Sequence, residues 1–135
     1  MVGYDVRDAA ADATELIRSG APLRDVWRHS VLQLIDSYRT VLNRAGVGEA
    51  ATLFFEEPDL TGHEGVDAAL AGLAEHLARR DGWRVPAWTA NATRETLHFW
   101  FVDDLPGLRA WALRESPAAF RRRGVFIGEN ALERV

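Results

Sequence analysis

The sequence contains no cysteine. That absence excludes a disulfide framework, a thiolate metal site and a cysteine nucleophile. Lysine is missing as well, so all 16 basic residues are arginine, a bias that reads as coding composition before it reads as selection for guanidinium chemistry. No run approaches the roughly 18 apolar residues of a membrane span, and the opening Met1-Val2-Gly3-Tyr4-Asp5 has no basic stretch followed by an apolar one. A cytoplasmic location is expected. The glycines form no GxGxxG or phosphate loop, the serines no GxSxG elbow and the histidines no HExxH pair, so the familiar nucleotide-binding, hydrolase and zinc-protease signatures are all lacking.

What is present describes a single domain over residues 1–135. An apolar share of 47% and a charged share of 27% suit a packed core, and a chain of this length can form one without staples. The net charge of −4 repels nucleic acid as a whole and makes a basic protein partner electrostatically easier.

Periodicity makes the fold all-α, with about six to seven helices, two of them long. Asp5 caps a first amphipathic helix that runs to Arg18. Trp27, Val31, Leu34, Ile35, Tyr38, Val41 and Leu42 line one side of a long helix over 23–45, stopped by Gly46. Leu53-Phe54-Phe55 fits a short helix from about Glu49, favoured over a buried extended piece ended by Pro58, and Glu57 to Gly65 reads as loop. Val66, Ala69, Leu70, Leu73, Ala74 and Leu77 give the strongest repeat, a second long helix over about 65–80 that should pack on the first. A short helix is expected near Thr93 to Phe101, another over Leu108 to Glu115, and a further one after Ser116-Pro117, read as N-cap and first helical position. At most one extended segment is expected, near 125–127, before a helical turn over Asn130 to Val135.

Few residues are placed for chemistry. His29, His63, His76 and His98 fall on separate elements, and only His63, beside Glu64 in a glycine-flanked loop, could be offered to a ligand. The carboxylate pairs Glu56-Glu57 and Asp103-Asp104 are adjacent in sequence, so their side chains diverge. No catalytic residue, metal ligand or cofactor is therefore expected, and the chain reads as a binding protein. The one concentration of positive charge is Arg121-Arg122-Arg123, with Arg109 and Arg114 one helix earlier. Among the five tryptophans, Trp83 and Trp88 flank Pro86 in an irregular segment and are expected to be partly exposed. Tryptophan and arginine dominate interface hot spots, so these seven residues form the candidate partner-binding set. Two rivals stand beside this reading: a nucleic-acid-binding regulator using the arginine cluster, and an enzyme assembling His63, Glu64, Asp103 and Asp104 around an aromatic pocket near Trp100.

Several stretches together carry a resemblance. Val26-Trp27-Arg28 leading into Leu34-Ile35-Asp36-Ser37-Tyr38-Arg39, then Glu57-Pro58-Asp59-Leu60-Thr61-Gly62, Val85-Pro86-Ala87-Trp88 and Ser116-Pro117-Ala118-Ala119-Phe120-Arg121-Arg122-Arg123-Gly124 resemble actinobacterial antitoxin-like helical domains. The likeness runs from about Pro22 to the end. It implies a protein partner, a nucleotidyltransferase-like toxin encoded alongside, neutralised by a helical domain that docks over its cleft. Only the Asp5 to Arg18 helix precedes the shared region, so nucleic-acid contact is expected only through the partner.

Overall fold

In a computed structural model, residues 3–102, 107–128 and 131–132 are described. The chain forms a predominantly helical single domain, as the periodicity predicts. Helix α1 is Val6–Arg18. Asp5 caps it by accepting from the backbone N–H groups of Arg7 and Asp8, and Asp8 returns the bond to the Asp5 N–H. Val6, Ala9, Ala10 and Ala13 recur at three and four residues and form its buried stripe.

Helix α2 is the long run 23–45, built from Leu23–Val26, a π-helical Trp27–Leu32 and an α-helical Gln33–Ala45. The π segment is not legible from spacing alone. Within it, Ser30 Oγ donates back to the Val26 carbonyl, a bond that competes with the regular helix ladder. The neighbouring Trp27 is buried, and its indole N–H donates to the Ala131 carbonyl at 2.7 Å, tying this turn to the far end of the chain. Helix α3, Val47–Ala51, tightens into a 3₁₀ turn at Thr52–Phe54, where the sequence predicts a short helix.

Helix α4, Glu64–Asp81, is the centre of the molecule. Every residue from Gly65 to Glu75 is buried, so it is enclosed on all sides and is not the one-faced helix the spacing suggests. Alanine and glycine make this possible, because small side chains let neighbours approach from every direction. A Cβ on Gly72 would meet the Phe120 ring at 3.1 Å, and one on Gly65 would meet Trp100 Cε3 at 2.6 Å. Two side chains fix its start: His63 Nδ1 accepts from the Val66 N–H at 3.1 Å, and buried Asp67 accepts from both the N–H and the hydroxyl of Thr61 at 2.8 Å. Its end meets α2 where Tyr38 Oη donates to Asp81 at 2.6 Å.

After α4 come two 3₁₀ turns, Ala87–Ala90 and Ala92–Arg94, and then a strand β1, Trp100–Phe101, where the sequence reading expects a helix over Thr93 to Phe101. Helices α5, Arg109–Glu115, and α6, Ala118–Arg121, lead to β2, Val125–Phe126, the extended segment expected near 125–127. The two strands pair in parallel, Trp100 opposite Val125 and Phe101 opposite Phe126. The strand carries Trp100 inward, where its ring lies over Gly65 and edge-on to Trp27. Ser116 is no N-cap. Its hydroxyl donates to the Ala112 carbonyl and accepts from the Ile127 N–H at 2.9 Å, joining α5 to the chain after β2. Asp104-Leu105-Pro106-Gly107 reads as a turn in the sequence, but all of it except Gly107 lies outside the described residues, as does most of the stretch from Asn130 to Val135. No helix among the described residues is long and apolar enough to cross a membrane.

Candidate functional site

The seven arginine and tryptophan candidates separate into three places. Trp88 is buried, not partly exposed: its indole N–H donates to the Phe54 carbonyl at 2.9 Å. Trp83 is half-buried, stacked obliquely on Phe54 and donating to Tyr38 Oη at 2.9 Å. Both tryptophans close the core beneath α2 and α3, and a partner could reach only part of Trp83.

The arginine run is distributed by its neighbours. Arg123 is buried, with Nη1 donating to Glu75 at 2.6 Å and to the Ala119 carbonyl, and Nη2 to the Thr89 carbonyl at 3.0 Å. Arg122 also donates to Glu75, from a more exposed position. Arg79, one turn along α4, completes the set at 2.8 Å. Burial alone would raise the Glu75 carboxyl, but the hydrogen bonds from Arg122, Arg123 and Arg79 outweigh it and hold the group down at about 2. Arg121 turns elsewhere, its Nη1 donating to the Arg114 carbonyl at 2.8 Å. Arg114 pairs with Glu115 at 3.4 Å, and Arg109 sets its guanidinium 4.8 Å over the Phe101 ring. Arg109 and Arg114 thus belong to α5, and Arg121 reaches across to it from the end of α6, whereas Arg122 and Arg123 turn to Glu75.

Sequence reasoning missed two features. Arg94 is fully buried. It donates to the Pro58 carbonyl at 2.6 Å and to Glu57 at 3.2 Å, with its guanidinium 5.1 Å from the Trp88 ring; its Nε and Nη1 have no hydrogen-bond partner among the described residues. It pins the loop between α3 and α4 to the 3₁₀ segment. The second feature is an outward apolar face on the small sheet. Trp100 points inward, so its neighbours Phe99 and Phe101 point out, both onto Phe126 with ring centres 5.0 Å apart. Phe99 is 67% exposed and Leu97 89%, where the free side of a small sheet is ordinarily polar. Leu108 and Leu113 on or beside α5 are exposed as well, and Leu113 lies one turn from Arg109. The alternation Leu97, Phe99, Phe101 is visible in the sequence once a strand, and not a helix, is read there.

Of the rival enzyme site, His63 and Glu64 fall among the described residues. His63 is committed to capping α4, edge-on to Trp100 at 5.1 Å. Glu64 accepts instead from Thr96 at 2.7 Å and lies 3.2 Å from His98, which together hold its carboxyl below the usual range. Asp103 and Asp104 lie outside the described residues. Among the described residues no group of three histidine or carboxylate side chains is placed to hold a metal ion.

No known protein family, curated protein or solved structure matches this chain.

Proposed function

We propose that this chain is a protein-binding module that docks through the outward face of its small sheet and the adjoining side of α5. The carrying observation is the exposure of Leu97 and Phe99 at the sheet and of Leu108 and Leu113 at α5, two elements that Arg109 joins by lying over the Phe101 ring. Arg109, Arg114 and Arg121 rim this region, giving an apolar centre with a charged edge, the anatomy of a protein interface. The edges of the sheet add to it. The outer edge of β2 is closed by Ser116, whereas no hydrogen bond joins the outer edge of β1 to another described residue.

The resemblance to antitoxin-like domains supplies the partner to test: a nucleotidyltransferase-like toxin, held in the cytoplasm and neutralised by steric cover. In this reading the domain itself performs no catalysis and needs no cofactor, and nucleic acid is met only through the partner. Co-expression with the toxin candidate encoded beside it, followed by size-exclusion chromatography, tests the proposal. Co-elution that is lost in the double variant Leu97→Asp, Phe99→Asp is the expected result; separate elution of the two wild-type proteins at micromolar concentration overturns it.

A further inference from the structure

The surroundings of Glu75 hold more positive charge than their carboxylates neutralise. A hollow of about 310 Å³ is lined there by Arg79, Arg122, Arg123, Glu75, Glu95 and Thr89, among others. Three guanidinium groups face two carboxylates. Glu75 is already filled: Oε1 accepts from Arg122 and Arg123, and Oε2 from Arg79.

The remaining donors have no such acceptor. Arg79 spends only its Nε on Glu75, and Arg122 only one Nη, so the other nitrogens of both make no hydrogen bond to described residues. Their side chains are 66% and 57% exposed, and both line the hollow. Buried Arg123 and Glu75 hold the base of the site rigid. Two planar forks fixed by a common carboxylate, with a surplus positive charge between them, match the oxygens of a tetrahedral anion better than a single carboxylate.

We propose that this hollow binds a phosphate dianion, as inorganic phosphate or as the terminal group of a small phosphomonoester, bridged between Arg79 and Arg122. The hollow's lining includes none of the residues assigned to the docking face. Titration calorimetry and thermal melting of the full chain at low salt, with inorganic phosphate in one arm and O-phosphoserine in the other, test it against sodium chloride at matched ionic strength. Saturable binding and a rise in melting temperature absent with chloride are expected, with Arg79→Gln and Arg122→Gln each weakening binding about tenfold or more. Arg109→Gln, which does not line the hollow, should leave it unchanged. Phosphoserine binding at least as well as phosphate assigns the site to a phosphomonoester, and binding of phosphate alone assigns it to the free anion. No saturation below about 50 mM, an equal response to chloride, or wild-type affinity in Arg79→Gln overturns the proposal. Arg79→Gln decides the matter even if Arg122→Gln fails to fold, because its side chain is two-thirds exposed.

Discussion

Replacing Glu75 by glutamine should cost this domain about 3 kcal/mol at neutral pH. The carboxylate is 3% exposed and is shared by three arginines, one of them buried. Glutamine keeps the shape and one acceptor oxygen but removes the charge, leaving Arg123 buried without its counter-ion. Breaking a buried pair from one side costs about 3–5 kcal/mol, whereas the more exposed Arg79 and Arg122 add little. The carboxyl's acidity leads to the same size of effect: a group held at about 2 against its ordinary 4.5 contributes about 3 kcal/mol when ionised. For 135 residues this lowers the melting temperature by about 10 °C. The pH dependence gives the sharper check. Because the folded state lowers this carboxyl, its contribution is complete above about 4.5 and is lost as pH falls toward about 2. Thermal melts of wild type and Glu75→Gln followed by circular dichroism should therefore differ at pH 7 and converge as the pH falls through that window. A difference under about 1 kcal/mol at pH 7, or one that stays constant down to pH 2, refutes the assignment.

Three further outcomes follow from the same contacts. Arg94→Leu should lose about 2–4 kcal/mol in urea denaturation, since it frees the Pro58 carbonyl and Glu57 together, and a loss under about 1 kcal/mol would show that the loop is held by other contacts. Gly65→Ala places a methyl 2.6 Å from Trp100 Cε3, so a loss of about 1–3 kcal/mol with a shift in tryptophan fluorescence is expected, and an unchanged spectrum would contradict the packing of that ring. Leu97→Ser with Phe99→Ser should change stability by no more than about 1 kcal/mol while reducing binding of an apolar dye; a much larger loss would mean these side chains serve the core.

The helices were legible in the sequence because their determinants are local. The three-to-four spacing from Trp27 to Leu42 and from Val66 to Leu77, with Gly46 and Gly82 at the ends, depends on neighbours within a turn or two. The lack of any cysteine, or of a nucleotide or metal motif, is likewise complete in the sequence. Ser116 shows the limit of local reading: Ser-Pro is a sound helix-start signal, yet the hydroxyl is taken by Ile127, eleven residues on.

The candidate site depended on contacts of longer range. Arg121, Arg122 and Arg123 are three consecutive and chemically identical residues, and only the placement of Glu75, 48 positions before Arg123, separates the buried one from its neighbours. Trp88 is buried because the Phe54 carbonyl, 34 positions earlier, waits for its indole N–H. The stretch ending in Phe101 became a strand because Gly65 left room for Trp100 and Val125 and Phe126 offered an edge to pair with, and that strand turned Phe99 outward. Periodicity and capping are properties of a segment and can be read from it, whereas burial and ion pairing are properties of what the fold brings alongside, and tertiary structure alone supplies those neighbours.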